Sequence, residues 1–165
     1  MQGHSILLNS AHVELNHDWG LDHGTWKIIR QVYPKAKVPV LQMSIDFTKA
    51  PRYHHDVAKE PFALRKKGVP IIGSGNMVHG LRMPAWNKMD EPGYGNDRAP
   101  KLNDQFKKII MEANHQPLIN YQSLGAESSL AIPTPERYLP LLYALGLKSK
   151  KTKFLFSMIK QLRAH

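Results

Sequence analysis

Apolar residues recur at the spacing of an α-helix in several stretches of the chain. The predicted helices span residues 25–33, 51–67, 101–113 and 135–145. Thr25 can cap the first helix, and Pro34 would end it because proline has no backbone N–H to donate. Pro61 falls inside the second helix, where an interior proline costs roughly 3 kcal/mol. Either this helix kinks at Pro61, or selection on the chain has been weak.

Two shorter stretches have the pattern of β-strands. Residues 38–45 are apolar and β-branched, with Gln42 and Ser44 on one face. Residues 69–72 form a short apolar run that leads into a Gly-Ser-Gly-Asn turn. Strand and helix patterns that alternate along a chain are typical of α/β domains. The sequence therefore predicts an α/β fold with a mixed central sheet flanked by helices.

The composition is that of an ordinary globular domain of 165 residues, with 42% hydrophobic and 22% charged residues. The chain has no cysteine, which excludes disulfides, thiolate metal sites and cysteine nucleophiles. No apolar run approaches the roughly 20 residues that span a bilayer, and residues 1–5 lack the features of a secretory signal. We therefore expect a cytoplasmic protein with no membrane partner.

The net charge of +10 is concentrated near the end of the sequence. Residues 146–165 contain six basic and no acidic side chains, and the rest of the chain carries 17 basic against 13 acidic ones. Such a run is usually a solvated surface, and no interleaved aromatic residues accompany it, so we expect no nucleic-acid partner. A binder of nucleic acid or anionic surfaces is one alternative hypothesis. It predicts salt-sensitive binding that is lost when residues 149–165 are deleted.

His79 lies in a segment that could hold a metal. It follows the predicted strand 69–72 and its turn, at the end of a sheet where α/β sites form. A neutral imidazole at that place could ligate iron or zinc. The alternative is that His79 and Asn76 only satisfy the hydrogen bonds of a buried turn.

His23 lies in a second segment of interest, directly after Asp22. It could act as a general acid–base whose tautomer a neighbouring acceptor fixes. The alternative is a loop histidine that packs against Trp19 or Trp26.

The remaining histidines carry less information. His54 and His55 are adjacent on a predicted helix, so their side chains point in different directions and cannot share one metal ion. His115 lies at a predicted helix end, where a cationic ring suits the helix dipole.

Six segments resemble, in the same order, the DOPA-dioxygenase branch of the class III extradiol ring-cleaving dioxygenases. They read WGLDHGTW (19–26), YP (33–34), VPVLQMSID (38–46), GSGNMVH (73–79), NHQPLINY (114–121) and IPTPERYLPLLY (132–143). Several segments in the right order argue against a chance match. We therefore expect residues 13–147 to be the C-terminal portion of an extradiol dioxygenase-like catalytic domain, and residues 148–165 to be a divergent basic tail.

The resemblance implies an α/β enzyme that holds one non-haem divalent metal, Fe²⁺ or Zn²⁺. Its substrates would be O₂ and a catechol-type, DOPA-like aromatic whose ring it opens. By motif match, His79 corresponds to a metal ligand, and His23 to the catalytic acid–base that handles the proton of a substrate hydroxyl. Asp22 would assist His23 in catalysis, and Asn76 would have a supporting role.

The sequence departs from the family pattern in three places. We expect the N-terminal half of the family domain, with two further histidine ligands, to be missing. Arg137 stands where the family often has histidine, and a protonated guanidinium cannot ligate a cation. The chain beyond Lys148 differs from the family's closing strand. The rival hypothesis is therefore a catalytically inactive remnant, with residual or no metal binding and an apolar edge exposed by the lost strands.

Overall fold

The computed structural model describes residues 13, 14, 16–35, 37–77, 98–149 and 152. Helices account for the regular structure of these residues. They are α1 (His23–Val32), α2 (Pro51–Val57), α3 (Phe62–Lys66), α4 (Arg98–Met111), α5 (Gln116–Ile119), a 3₁₀ turn (Tyr121–Leu124), α6 (Ala126–Ala131) and α7 (Leu139–Gly146).

The predicted mixed central sheet is wrong for this part of the chain, which contains no β-strand. Residues 38–45 and 69–72, the two predicted strands, have no regular secondary structure. A strand exists only where its backbone N–H and C=O groups pair with a neighbouring segment. The apolar pattern of a strand does not specify that neighbour, and the described architecture is accordingly helical rather than α/β.

The hydrophobic core forms between α4 and the segments that follow it. The predicted amphipathic helix is confirmed, because Leu102, Phe106 and Ile110 on its apolar face are all buried. Ala113, the last residue of the predicted helix 101–113, lies beyond the end of α4 with a positive φ of 60°. The other buried members of the cluster come from α5 to α7 and their connections: Leu118, Ile119, Tyr121, Ile132, Tyr138, Leu139, Leu142 and Leu145.

Tyr138 lies at the centre of this core, with 1% of its surface exposed. Its hydroxyl donates a hydrogen bond of 2.7 Å to the backbone carbonyl of Leu118. Its ring packs against Tyr121 at a centroid distance of 4.9 Å and against Phe106 at 5.9 Å. Because burial raises the pKa of Tyr138 well above its ordinary value, the hydroxyl remains a donor at any physiological pH.

Pro61 interrupts the second predicted helix, which is therefore two short helices rather than one. The chain leaves the helical path after Val57, passes through a turn, and resumes in α3 with Pro61 at the position before its first residue. A proline is tolerated there because its missing N–H would have no helical partner. The predicted single helix is therefore not kinked at Pro61 but divided into two before it.

The last helix, α7, packs closely against α2. Gly146 lies so near the backbone carbonyl of His55 that a side-chain Cβ would overlap it, and the same Cβ would come within 2.7 Å of Ala58. The absence of a side chain at Gly146 thus allows α2 and α7 to touch.

The first helix has a different character, because none of its residues is buried. Large apolar side chains on α1 and on the segment 38–47 are exposed to solvent: Trp26, Val32, Val38, Leu41, Met43 and Phe47. Trp19, just before α1, is 82% exposed. These side chains belong to a helix and to a segment without a strand, so they are not the exposed sheet edge that was expected.

Candidate active site

Asp22 caps the N-terminus of α1. Its carboxylate oxygen Oδ1 accepts a hydrogen bond of 2.7 Å from the backbone N–H of Thr25, and its own carbonyl accepts the N–H of Trp26 at 2.9 Å. The sequence predicted Thr25 as the cap, which is wrong by three positions. A short acidic side chain before the first helical turn serves the same purpose, since it satisfies an N–H that has no partner within the helix.

Gln42 binds the same aspartate through both ends of its side-chain amide. Its Oε1 accepts the backbone N–H of Asp22 at 2.8 Å, and its Nε2 donates to Asp22 Oδ2 at 2.8 Å. This pair of hydrogen bonds joins α1 to a segment 20 residues further along the chain.

The Asp22 carboxylate is consequently held in its ionised form. The backbone N–H of Thr25 makes the largest contribution to lowering the pKa of Asp22, and the bond from Gln42 lowers it further. Both carboxylate oxygens have a donor, so Asp22 acts here as a fixed acceptor.

His23 is the first residue of α1 and is exposed to solvent. Its ring stacks on that of Trp26, with the centroids 6.4 Å apart and the planes at 14°. The guanidinium of Arg30 lies over the Trp26 ring, 5.2 Å from its centroid. Packing of His23 on Trp26 was one of the two interpretations offered by the sequence, although the histidine belongs to a helix and not to a loop.

The glycine-rich turn before His79 packs against the chain that enters α7. The backbone N–H of Asn76 donates to the carbonyl of Arg137 at 2.9 Å. A Cβ on Gly75 would overlap that same carbonyl, and a Cβ on Gly73 would come within 2.6 Å of the carbonyl of Pro140. These glycines therefore permit a close approach between two parts of the same backbone.

His79 itself lies outside the described residues, so its predicted role as a metal ligand and its distance from His23 stay predictions. Arg137 is exposed, and its carbonyl holds the turn that leads toward His79. Among the residues whose placement is described, no group of three or more histidine, cysteine, aspartate or glutamate side chains could hold a metal ion. These residues alone therefore do not fit a complete metal centre.

A second group of histidines, which sequence reasoning missed as a group, lies between α2, α5 and α7. His54 Nδ1 is 3.2 Å from the hydroxyl of Tyr143, and His55 Nε2 is 3.3 Å from His115 Nδ1. His54 and His55 do point in different directions, as predicted from their adjacency. The contact between His55 and His115 spans 60 residues, and no local pattern indicates it.

Burial keeps this group uncharged. It lowers the pKa of His54 and of His55, and it lowers that of His115 to about 4, with a further contribution from His55 nearby. The expected cationic ring at His115 is therefore wrong, because desolvation outweighs the attraction of a helix end for positive charge.

An apolar depression of about 310 Å³ lies at the far end of α1, between Val32 and Val38. The helical rise of about 1.5 Å per residue separates Val32 from His23 by roughly 13 Å along the axis. This depression therefore does not surround His23.

In the part of the chain that the structure describes, no helix has the length and apolar character needed to cross a membrane.

Residues 6–163 match the protein family described as the catalytic LigB subunit of aromatic ring-opening dioxygenase. The chain belongs to this family. This conclusion agrees with the resemblance of the segments around His23 and before His79 to a dioxygenase family.

Curated relatives of the chain include several proteins named 4,5-DOPA dioxygenase extradiol. That of Escherichia coli K12 is 39% identical over 132 residues, which cover 78% of this chain and 47% of the relative. That of Portulaca grandiflora is 30% identical over 144 residues, which cover 85% of this chain and 51% of the relative. The chain thus spans about half the length of these relatives.

The crystal structure of an uncharacterized protein from Escherichia coli K12 is similar in fold. It superposes with a TM-score of 0.68 at 36% sequence identity, over 78% of this chain and 52% of the other. In the sequence and the structure comparisons alike, this chain spans about half of the protein that it matches.

Proposed function

We propose that this chain contributes to an extradiol dioxygenase that opens the ring of a catechol-type, DOPA-like aromatic with O₂. The observation that carries the proposal is the match of residues 6–163 to the ring-opening dioxygenase family. The names of the relatives support the extradiol reaction and a DOPA-like substrate.

In this proposal His23 is the acid–base group for a substrate hydroxyl. Its imidazole is exposed and can reach a bound aromatic, whereas both oxygens of the Asp22 carboxylate already accept hydrogen bonds. The role that fits Asp22 is to orient the first turn of α1, which begins with His23. The planar His23–Trp26 stack also offers an aromatic surface beside the imidazole, which suits a flat substrate ring.

His79 is the proposed ligand of a divalent metal, Fe²⁺ or Zn²⁺. The close approach of Gly73 and Gly75 to the α7 entry supports this assignment, because a turn anchored to the helical core is a rigid base for the residues that follow it. The described residues do not supply the further ligands, so we derive no step of the reaction through the metal.

A catalytically inactive remnant is the second candidate. It is favoured by the lack of a three-ligand group among the described residues and by a guanidinium at Arg137, which cannot ligate a cation. The two candidates differ in whether the chain binds metal through His79.

The deciding experiment measures metal stoichiometry with anaerobically added Fe²⁺ and then with Zn²⁺. The enzyme proposal predicts near-stoichiometric binding that His79→Ala abolishes and that His17→Ala, a change at an exposed histidine, leaves intact. Binding that survives in His79→Ala, or no specific binding, contradicts the assignment. Loaded protein should then consume O₂ only when a catechol is added, and His23→Gln should lower the rate by about 10²- to 10⁴-fold.

A further inference from the structure

Helix α1 has no buried residue, and the side chains of Ile28 and Ile29 are only half-buried. Helices α2 and α7 bury several side chains each. A short helix is marginally stable without tertiary contacts. The orientation of α1, and of the His23 side chain at its start, therefore depends on polar contacts at its N-terminus.

Gln42 makes two of these contacts. Its carbonyl oxygen accepts the Asp22 N–H, and its amide nitrogen donates to the Asp22 carboxylate, both at 2.8 Å. Only a side chain with a donor and an acceptor on one planar group can make both bonds. The bond to the carboxylate is charge-assisted, because the pKa of Asp22 is lowered and its oxygens carry the negative charge.

The aspartate held by Gln42 is also the cap of α1. One carboxylate oxygen faces the N–H of Thr25 while the other faces Gln42, so the amide sets the plane in which the cap is made. His23 follows Asp22 directly and begins the helix. A change in the Asp22 backbone therefore changes the direction in which the His23 imidazole leaves the helix.

We propose that Gln42 is a positioning residue for His23, because it clamps the backbone and the carboxylate of Asp22 and so fixes the first turn of α1. This inference rests on the proposed function only in its assignment of a catalytic role to His23. The position of the imidazole can be measured whether or not the chain turns over a catechol.

The experiment follows the ring signals of His23 by ¹H–¹³C NMR at constant pH, together with the hydrogen exchange of the Thr25 amide. Gln42→Leu should shift the His23 signals and speed exchange at Thr25 by about three- to tenfold, the effect of losing an ordinary hydrogen bond. The control is Gln31→Leu, a change at an exposed glutamine on α1 itself, which should alter neither readout. Unchanged His23 signals in Gln42→Leu, or equal shifts in Gln31→Leu, would overturn the proposal.

Exchanging the donor and the acceptor between Asp22 and Gln42 distinguishes a positioning role of Gln42 from a general loss of structure. Gln42→Glu alone removes the donor and places two carboxylates together, so it should disturb His23 as much as Gln42→Leu does. Asp22→Asn combined with Gln42→Glu restores a donor facing an acceptor and keeps a good helix cap, so it should return the His23 signals toward those of the original chain. A double variant that keeps its core, judged by the Tyr138 signals, but leaves His23 displaced would contradict the proposal.

The same variants distinguish this inference from the proposed function. If the chain has no catechol-dependent O₂ uptake, the proposed function fails, while the NMR result still decides the role of Gln42. If O₂ uptake is present, Gln42→Leu should lower it and the double variant Asp22→Asn with Gln42→Glu should restore part of it. Normal uptake in a Gln42→Leu variant with displaced His23 would contradict the catalytic role of His23.

Discussion

The imidazole rings of His55 and His115 meet edge to face at the junction of α2 and α5, with Nε2 of the first 3.3 Å from Nδ1 of the second. At this distance a hydrogen bond requires one nitrogen to carry a proton and the other to be bare. Asp56 lies 3.5 Å from His55 Nδ1, whereas Lys59 and Lys148 are positive groups near His115. Burial outweighs the attraction of Asp56 for a protonated His55 and, together with the two lysines, favours a neutral pair over a charged one.

Acid should destabilise the protein through this pair. The pKa of His115 is about 4 in the folded chain against 6.5 ordinarily, so the unfolded chain binds more protons between these values. The contribution of His115 to the free energy of unfolding should consequently be complete above about pH 6.5 and should fall as the pH drops toward 4. We expect a loss of about 1–2 kcal/mol, less than the whole shift would give because the pair is partly exposed.

Urea unfolding measured across that pH range tests this expectation. His115→Gln removes the titrating group and should flatten the dependence, while His17→Gln, at an exposed position, should leave it as it is. If the free energy of unfolding depends as steeply on pH in His115→Gln, a group other than His115 is responsible.

Tyr138→Phe should destabilise the core without changing its shape. The substitution removes only the hydroxyl, which leaves the buried carbonyl of Leu118 without its 2.7 Å hydrogen bond. We expect a loss of about 1–2 kcal/mol in the free energy of unfolding, measured with urea at neutral pH. Tyr33→Phe makes the same chemical change at the end of α1, outside this core, and should have little effect. Equal losses in the two variants would contradict the role assigned to Tyr138.

Gly146→Ala should separate α2 from α7. The added methyl group meets the carbonyl of His55 and the side chain of Ala58, neither of which can move without shifting the α2 backbone. Overpacking of this kind costs about 1–3 kcal/mol. Gly20→Ala is the matched control, because a Cβ there has no atom within 4 Å. Thermal unfolding of both variants measures the difference, and a stable Gly146→Ala protein would show that the two helices are less tightly fitted.

The exposed apolar residues of α1 and the segment 38–47 should promote self-association. Leu41 is 71% exposed and Phe47 is 68% exposed. Burial of one such side chain contributes about 1.5–3 kcal/mol, so Leu41→Lys should weaken association by roughly tenfold or more. Leu130→Lys provides the comparison, since Leu130 is 53% exposed but lies on α6. Sedimentation velocity over a concentration series measures the effect, and a chain that is monomeric throughout would contradict this prediction.

Sequence reasoning succeeded where one local pattern determines the outcome. The α4 face of Leu102, Phe106 and Ile110 is buried as the 3.6-residue period predicts, because the same residues that make a helix amphipathic also form its contact surface. It failed where the outcome depends on a distant partner. The strand pattern of residues 38–45 has no pairing neighbour in the described chain, and nothing local links His55 with His115.

The candidate site divides in the same way. His23 and Asp22 were predicted as site residues from their local segment, and their catalytic roles stay predictions. The resemblance of that segment to a dioxygenase family is confirmed by the family match. The partner of Asp22 was not found, because Gln42 was interpreted only as a polar position on a strand face. A glutamine that holds a distant helix has the same local pattern as one that faces solvent.

The break at Pro61 has a consequence for the order in which the chain becomes structured. It leaves α2 with seven residues and α3 with five, and neither is long enough to persist as an isolated helix in water. We therefore expect protection of the α2 amide protons to depend on the docking of α7. Residues 51–57 should accordingly belong to the same cooperative unit as a helix that begins more than 70 positions later in the chain, and their exchange should report on the integrity of that contact.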